Sequence, residues 1–419
     1  MSTPLRSSAA DLKLSRSGIV STLPKPGGVA NVPGPREVLG QSIAQRMLVF
    51  LPSGKNRRLQ LGCCTSDGDE IPLGLQKLRR KAKFEREELP LRHRESDRRR
   101  GIVIVTDERS LLKLIREKIA EVVVGYDRAI NLLLVALLSE GHVLLEDVPG
   151  VGKTLMARTL ARVTGLTFRR IQFTPDLLPS DVTGINIFNP KTRSFQFEPG
   201  PVFSNLLLAD EINRATPRTQ SALLECMQEQ QVTVSGQTRM LPRPFLTVAT
   251  QNPVDMSGTF PLPAAQMDRF LLRIRLGYPQ EEDEYALLRI HPTGGNPESI
   301  VEPIARPGAI EVMQKRAQEV YLSEELRRYI VGLVRSTRER EDLELGASPR
   351  SAIMLAVASR ALAFLMDRDY VIPDDVLHLL VPVLGHRLIR GRDTTLRGRE
   401  IDGILAEIAE EVPLPVDAS

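Results

Sequence analysis

The segment EDVPGVGKTLMA, from Glu146 to Ala157, is the part of this sequence that says most about its fold. It contains Gly-Lys-Thr, which is how the phosphate-binding consensus G-x-x-x-x-G-K-[ST] ends. The consensus begins with a glycine where this chain has Asp147. Gly-Lys-Thr could therefore be a chance match, or the loop could function with Gly150 and Gly152 as its glycines.

The segments on either side of this stretch favour a genuine phosphate-binding loop. HVLLE, residues 142–146, has the apolar character of a short buried strand, and TLMARTLARVTG, residues 154–165, has the pattern of a helix that ends at Gly165. A phosphate-binding loop joins the carboxyl end of a strand to the N-terminus of a helix, where backbone N–H groups and the helix dipole attract phosphate. The same order of strand, glycine loop and helix is present here.

The residue types in this loop suit the chemistry of a nucleotide. Gly150 and Gly152 allow the backbone to curl around phosphate groups. Lys153 can reach the terminal phosphates, and Thr154 offers a hydroxyl to Mg²⁺. The sequence therefore predicts a nucleotide site made by Pro149, Gly150, Val151, Gly152, Lys153, Thr154 and Leu155.

Composition limits the class of protein. With 419 residues and 42% apolar content, the chain is long enough for two or three domains and at least one large core. It has no run of 18 apolar residues and no apolar N-terminal segment, so neither a membrane span nor a secretory signal is expected. Its three cysteines, including the adjacent Cys63 and Cys64, favour free thiols and a cytoplasmic location.

Positive charge is concentrated at the front of the chain. The formal net charge is +4, but residues 1–100 contain 20 Lys and Arg against 10 Asp and Glu, whereas the other 319 residues contain 36 against 42. A basic protein would indicate a nucleic-acid partner. Because the body of this chain is acidic, its charge distribution argues against nucleic-acid binding.

Residues 1–103 differ in character from the rest of the chain. They mix Pro, Gly, Ser and Arg without sustained apolar periodicity, and the charge run LRHRESDRRRG lies near their end. Such a segment buries too little apolar surface to offset the entropy lost on ordering, so we predict a disordered basic extension. A basic arm that recruits a partner and a translation start assigned too far upstream are the alternatives.

Short apolar runs alternate with helical patterns in the next part of the chain. Runs that are apolar on both faces and separated by helices are typical of a parallel α/β sheet. Five strands are predicted, at residues 142–146, 166–173, 205–211, 244–252 and 270–276. Two hairpins are predicted as well, at residues 184–200 and 231–241.

The pattern becomes helical beyond Pro279, with segments such as SPRSAIMLAVASRALAFLMD and PDDVLHLLVPVLGHRLI. We therefore predict three parts after the extension. They are an α/β core at residues 104–279, an all-α domain at residues 280–410 and a tail at residues 411–419.

Polar residues stand at the ends of two predicted strands. NLLLADE ends in Asp210 and Glu211, and Asp210 lies 57 residues after Lys153. The predicted strand that ends in ATQN carries Asn252. At the shared carboxyl edge of a parallel sheet, Asp210 could hold Mg²⁺ through water, Glu211 could polarise an attacking water and Asn252 could orient it. Taken singly, a strand ending in two acids is common, and Asn252 before Pro253 also suits a turn.

Two arginines complete the candidates. Arg269, in AAQMDRF, precedes the last predicted strand, and Arg350, in GASPRS, opens a helix in which Pro349 favours the first position. Phosphoryl transfer spreads negative charge over the γ-phosphate oxygens, so cations aimed there from a neighbouring subunit and from a helical domain suit that reaction. Each arginine alone could equally form a surface ion pair.

Five motifs in order resemble the AAA+ ATPases and, among them, the MoxR family. They are EDVPGVGKT, LLADEINRATPRTQSALLECMQE, ATQNP, FPLPAAQMDRF and ASPRS, within about residues 106–395. The family has Glu/Asp-x-Pro-Gly in place of the strict first glycine, so Asp147 matches it. The resemblance implies an AAA+ P-loop core with a parallel five-stranded sheet and helical inserts, followed by an all-α lid domain.

The same resemblance implies a role for each candidate residue. The implied roles are ATP and Mg²⁺ binding for Lys153 and Thr154, Walker B for Asp210 and Glu211, sensor 1 for Asn252, sensor 2 for Arg350 and arginine finger for Arg269. The hairpin at 184–200 resembles the family's insert in helix 2. The hairpin at 231–241 resembles the family's pre-sensor hairpin. Tyr126 departs from the family, which usually has Gln there, at a position where it would affect adenine packing.

The resemblance implies an ATP-hydrolysing, chaperone-like ATPase that remodels or matures partner proteins as a ring, expected to be a hexamer. Members of this family often act with a protein that carries a von Willebrand factor A domain. One alternative is a nucleic-acid-dependent motor of the MCM or helicase-loader type. The acidic body of the chain and the hairpin at 184–200, whose basic residues are only Lys191 and Arg193, argue against it. Another alternative is a non-hydrolysing nucleotide switch, and the presence of Glu211, Asn252 and the two arginines argues against that.

Overall fold

The computed structural model describes residues 107–146, 150–252, 258–290, 300–396 and 398–415. The predicted disordered extension, residues 1–103, lies outside these ranges, as does Pro149 of the predicted loop. The domain bounds proposed from the sequence stay a prediction.

The α/β part of the chain begins with two helices and continues with strands and helices. In chain order its elements are α1 (Glu108–Ala120), α2 (Asp127–Leu138), β1 (Val143–Glu146), α3 (Lys153–Thr164), β2 (Phe168–Gln172), α4 (Pro179–Thr183), β3 (Gly184–Asn189), β4 (Ser194–Pro199), β5 (Leu206–Asp210), α5 (Pro217–Glu229), β6 (Gln231–Val234), β7 (Gln237–Met240), β8 (Leu246–Gln251), α6 (Ala264–Met267) and β9 (Leu272–Ile274).

Five of these strands form one parallel sheet in the order β2-β5-β8-β1-β9. Its middle strands are apolar on both faces because each face is covered: Leu145 and Leu208 belong to one buried cluster, Leu144 and Leu207 to another. The predicted α/β class with a five-stranded parallel sheet is confirmed. All five strands end at the same edge, which is where Asp210, Glu211 and Asn252 were expected.

The first two helices differ in how they are covered. Asp107 caps α1 by accepting a hydrogen bond from the Ser110 backbone N–H at 3.0 Å, and the helix buries an apolar stripe that includes Ile115 and Ile119. In α2 most residues are buried, because this helix lies between the sheet and the helical part of the chain. Both helices are therefore held in place by the apolar side chains that they bury.

Two antiparallel hairpins project from the α/β part, β3 with β4 and β6 with β7. They lie within the ranges predicted from the sequence, 184–200 and 231–241. Large apolar side chains on the first hairpin remain exposed, Phe195 by 72% and Phe188 by 50%. This hairpin therefore presents an apolar surface to solvent.

Helices dominate the remainder of the chain. The elements are α7 (Glu281–Ile290), α8 (Ala309–Glu319), α9 (Glu324–Glu339), β10 (Leu343–Leu345), α10 (Pro349–Leu365), α11 (Pro373–Leu384), β11 (Ile389–Arg390), α12 (Arg392–Leu396) and α13 (Ile401–Glu411). β10 and β11 form a short antiparallel pair that the sequence patterns did not predict. Strands of two or three residues are too short to show alternation in a sequence.

The helical part packs directly on the first two helices. α10 contacts α8, α9 and α11 within its own part, and α1 and α2 of the α/β part. The Gln314 amide donates to the buried carbonyl of Leu137 at 2.7 Å, and the Arg109 guanidinium lies 3.2 Å from Asp367 and over the Phe364 ring. One apolar cluster therefore runs through both parts.

No helix in the described ranges is long and apolar enough to span a bilayer.

Candidate functional site

The glycine loop opens α3 beyond the carboxyl end of β1. Gly150 and Gly152 have φ of +90° and +84°, a left-handed region in which side chains are strained. A Cβ atom at either position would meet no heavy atom of the described residues within 4 Å. Gly152 is the N-cap of α3. The first N–H groups of this helix have no partner within it, which is the arrangement that binds phosphate at a helix N-terminus.

The residues after the glycines divide into polar and apolar. Lys153 and Thr154 are the first two residues of α3 and are half-buried. Val151 is buried, and Leu155 packs against the large apolar cluster. The two apolar side chains therefore hold the loop against the domain, and the two polar ones lie at the N-terminal end of the helix.

Asp210 ends β5, and its two carboxylate oxygens have different partners. Oδ1 accepts a hydrogen bond from the Thr250 hydroxyl at 2.5 Å. Oδ2 accepts from Arg170, at 2.6 Å from Nη2 and 3.1 Å from Nε. Thr250 lies on β8 and Arg170 on β2, which are the two neighbours of β5 in the sheet. Three adjacent strands therefore fix the position of this carboxylate.

Glu211 follows β5 in a left-handed conformation, with φ of +56°, which is uncommon for a residue with a side chain. Its backbone N–H donates to the Thr250 hydroxyl at 2.8 Å. Its carboxylate accepts a hydrogen bond from the Gln172 amide at 2.6 Å and lies 3.1 Å from Nε of Arg214. The backbone turn and these contacts direct the Glu211 side chain differently from that of Asp210.

Thr250 links the two acidic residues. Its side chain is buried, and its hydroxyl accepts from Glu211 and donates to Asp210 at the same time. Sequence reasoning missed Thr250, Arg170 and Gln172. The available signal was positional for Gln172 and Thr250, which lie near the carboxyl ends of strands predicted to belong to the same parallel sheet as NLLLADE. Arg170 lies in the middle of its strand, so no such signal marked it.

Asn252 lies one residue beyond β8 and is half-buried. In the sheet, β8 separates β5 from β1, so Asn252 follows the strand between the one that ends in Asp210 and the one that leads into the loop. The structure therefore brings the loop, Asp210, Glu211 and Asn252 to one edge of the sheet.

The two candidate arginines lie elsewhere. Arg269 is half-buried between α6 and β9, and Arg350 is exposed as the second residue of α10, after Pro349 in the first position. Within the described residues, no hydrogen bond or ion pair joins either arginine to the loop, to Asp210 or to Glu211. The predicted site residues thus form one group at the sheet edge and two separate arginines.

A cavity of about 270 Å³ lies beside the carboxyl end of β1. Its lining includes Tyr126, Ala129, Ile274, Leu276, Val381 and Pro382. Two further lining residues, Arg273 and Arg275, form ion pairs with Glu146, the last residue of β1, at 3.4 and 3.2 Å. Burial lowers the pKa of Arg273, and the Glu146 carboxylate opposes that shift. The cavity therefore lies between both parts of the chain, next to the strand that leads into the loop.

The donor set at the sheet edge fits Mg²⁺ bound together with a nucleotide. Oδ2 of Asp210 already accepts two N–H groups, whereas Oδ1 accepts one hydroxyl and keeps an acceptor position. That oxygen and the Thr154 hydroxyl are hard ligands of the kind Mg²⁺ prefers. Mg²⁺ in nucleotide sites usually keeps several waters and uses few protein ligands besides phosphate oxygens. The oxygen ligands that these two residues offer are therefore of the kind that Mg²⁺ binds beside a nucleotide.

Two family models match the chain. The ATPase family associated with various cellular activities (AAA) matches residues 142–272, and the AAA lid domain matches residues 335–408. The first match contains the loop, Asp210, Glu211 and Asn252, and the second contains Arg350.

Individual proteins match over most of their length. The chain is 48% identical to the uncharacterized protein YeaC of Bacillus subtilis over 303 residues, which are 72% of this chain and 94% of YeaC. It is 43% identical to Chaperone MoxR1 of Mycobacterium tuberculosis over 307 residues, 71% of this chain and 81% of MoxR1.

A solved structure agrees with both matches. The crystal structure of a candidate ATPase from Cytophaga hutchinsonii superimposes with a TM-score of 0.69 at 41% identity, covering 73% of this chain and 96% of that one. Because both family models and these similar proteins agree, the chain belongs to the MoxR family of AAA+ ATPases.

Proposed function

We propose that this chain hydrolyses ATP with Mg²⁺ and uses the reaction to remodel or mature partner proteins. The observation that carries the proposal is the arrangement at the sheet edge. The glycine loop, Asp210 and Glu211 lie at the same edge, and one buried hydroxyl, that of Thr250, positions both acids. A P-loop ATPase requires phosphate binding, a Mg²⁺ ligand and a group that activates water in this relation.

In this proposal the residues at the sheet edge divide the chemistry. Lys153 and the N–H groups of α3 bind the phosphates of ATP. Thr154 and Asp210 hold Mg²⁺, which when bound offsets negative charge on the phosphate oxygens. Glu211 accepts a proton from the attacking water, and Asn252 orients that water.

The separate positions of the two arginines support a composite site. We assign Arg350, in the lid, to the nucleotide of its own subunit, and Arg269 to the nucleotide of a neighbouring subunit. Cations brought to the γ-phosphate from a second subunit stabilise charge in the transition state. This division requires a ring of subunits, for which we propose a hexamer.

The cavity beside β1 is our candidate for the adenine pocket. It adjoins the residue before the loop, and Tyr126 and Ala129 contribute to its lining. The Tyr126 hydroxyl donates to the Gly277 carbonyl at 3.2 Å, which fixes the ring. Tyr126 would therefore contact the base where the family usually has a smaller polar residue.

The exposed hairpin of β3 and β4 supports a protein client rather than a nucleic acid. Four apolar side chains on this hairpin are at least 47% exposed, those of Ile185, Ile187, Phe188 and Phe195. The two phenylalanine rings contact edge to face, with their centroids 5.4 Å apart. Exposed apolar clusters are typical of surfaces that bind proteins, whereas nucleic-acid sites are rich in Lys and Arg. One relative is named a chaperone, MoxR1. We propose a von Willebrand factor A domain protein as partner.

Two experiments test these proposals. ATP hydrolysis is measured with and without Mg²⁺, DNA and an unfolded protein; we expect hydrolysis only with Mg²⁺, and stimulation by protein but not by DNA. Stimulation by DNA that falls steeply with salt would favour the nucleic-acid motor.

The second experiment tests the partner. The ATP-loaded Glu211→Gln variant should retain a von Willebrand factor A domain protein from the same organism, and the Lys153→Ala variant should not. Equal retention by both variants would contradict an ATP-dependent partnership.

A further inference from the structure

A buried arginine of the lid contacts the segment that carries Arg269. Arg387 follows α11, and only 2% of its side chain is exposed. Its guanidinium donates from Nε to Oδ1 of Asp268 at 2.7 Å and from Nη2 to the Phe270 carbonyl. It also lies 3.4 Å from the Leu271 carbonyl. One lid side chain thus holds residues on both sides of Arg269.

A second lid residue contacts the same segment. Nε2 of His386 lies 3.1 Å from the Phe270 carbonyl oxygen and 2.8 Å from Nη1 of Arg387. Burial and the positive charge of Arg387 keep the pKa of His386 well below its usual value, so this imidazole is neutral. From the α/β side, the Leu271 N–H bonds to the His142 carbonyl at 2.8 Å. Residues 268–271 are therefore held between the lid and β1, and the lid supplies the contacts to the carboxylate and the carbonyls.

The charge on Arg387 makes these contacts specific. A buried guanidinium is costly unless its donors are matched, and its planar fork fits a carboxylate and neighbouring carbonyls as an ammonium does not. Burial lowers the pKa of Arg387, the Asp268 carboxylate opposes that shift, and the positive charge of Arg350 adds to the lowering. Arg387 therefore binds the residue before Arg269 through a buried ion pair whose geometry its guanidinium matches.

We infer that Arg387 and Asp268 are positioning residues that couple the orientation of the lid in one subunit to the placement of Arg269 against the next. The inference rests on the proposed function, in which Arg350 acts within its own subunit and Arg269 acts on a neighbour. A lid that shifts when ATP binds would move Arg387, and through it residues 268–271. Hydrolysis at one site would then be linked to the nucleotide held in the adjacent subunit.

The test uses two variants of the pair and a matched control in the full chain. Asp268→Asn removes the carboxylate charge, and Arg387→Lys keeps the charge but loses the fork. Asp342→Asn is the control, because Asp342 is a lid carboxylate whose exposed fraction is nearly that of Asp268, 23% against 24%, and it also pairs with a lid arginine, Arg399. Nucleotide affinity, melting temperature and the rate of ATP hydrolysis are measured for each.

We expect Asp268→Asn and Arg387→Lys to bind ATP like the wild type and to lose about tenfold to 100-fold in kcat, since small displacements of a catalytic group have effects of this size. Asp342→Asn should keep its kcat within about twofold. Wild-type hydrolysis by both variants of the pair would overturn the inference. A loss of nucleotide affinity equal to the loss of kcat would also overturn it, because that result would indicate general damage to the lid.

Mixed assemblies decide between a positioning role and a merely structural one. Subunits with Asp268→Asn have an intact loop and Glu211, and subunits with Glu211→Gln hold ATP and have an intact Arg269, so their mixture should recover activity at shared interfaces. The reference is a mixture of Arg269→Ala with Glu211→Gln. If only the reference recovers, the proposed function stands and the inference is wrong. If neither recovers in mixtures that co-assemble, Arg269 does not act in trans, and the inference falls with that proposal.

Discussion

The hydroxyl of Thr250 lies 2.5 Å from Oδ1 of Asp210, and both side chains come from adjacent parallel strands. The same hydroxyl accepts the backbone N–H of Glu211 at 2.8 Å. One oxygen therefore sets the position of the carboxylate proposed to hold Mg²⁺ and of the backbone that carries the proposed base. Neither acid can shift without disturbing the other.

Replacing this hydroxyl should impair both stability and turnover. In Thr250→Val the shape is kept, but the Glu211 N–H loses its acceptor, which costs about 1–3 kcal/mol for a buried donor. We also expect kcat to fall by about tenfold or more, because both acids lose a positioning contact. Thr250→Ser keeps the hydroxyl and is the matched control. Denaturant unfolding and ATP hydrolysis measure the two effects, and a Val variant as active as the Ser variant would contradict this role.

Glu211 and Lys153 should fail at different steps. Glu211→Gln keeps the shape of the side chain and removes the charge that accepts a proton, so ATP should still bind while turnover falls by about 10²–10⁴-fold. Lys153→Ala should instead weaken nucleotide binding. Equilibrium binding of a fluorescent ATP analogue and steady-state hydrolysis separate the two. Hydrolysis by Glu211→Gln at the wild-type rate would show that another group activates the water.

The sequence predicted the sheet and its polar edge well because both depend on local patterns. Buried strands of a parallel sheet are typically continuous apolar runs; Asp210 is the last residue of one such strand, and Asn252 directly follows another. Thr250 and Arg387 were not found, since their importance lies in which strand or loop they contact. The contact between Arg387 and Asp268 joins residues 119 positions apart, and no pattern within one segment records it.

Filling the cavity beside β1 should weaken ATP binding without slowing the chemical step. Ala129 lines this cavity, and Ala129→Leu would occupy part of its volume of about 270 Å³. If the adenine binds there, KM should rise while kcat stays near the wild-type value, the pattern of a lost interaction that is equal in ground and transition states. Ala129→Ser adds little volume and is the control, and melting temperatures show whether the larger side chain disturbs packing. An unchanged KM in a stable Leu variant would place the base elsewhere.

Acid should destabilise the protein through a buried histidine. His142 precedes β1, its Nε2 donates to the Met227 carbonyl, and its Nδ1 accepts the Thr247 N–H, each at 3.0 Å. This arrangement uses the neutral ring. Burial accordingly lowers the pKa of His142 from 6.5 to about 4.

Between pH 6.5 and about 4 the unfolded chain binds a proton at His142 that the folded chain does not, so the free energy of unfolding must fall as the pH falls through this window. The His142 contribution to that loss should reach about 2 kcal/mol between pH 7 and pH 5. Urea unfolding of the wild type and His142→Asn at both pH values isolates it, because other titrating groups, His386 among them, are present in both proteins. The variant will be less stable at pH 7, but its loss on acidification should be smaller by about that amount. Equal losses in the two proteins would mean that His142 is protonated in the folded state, which the two hydrogen bonds to its neutral ring contradict.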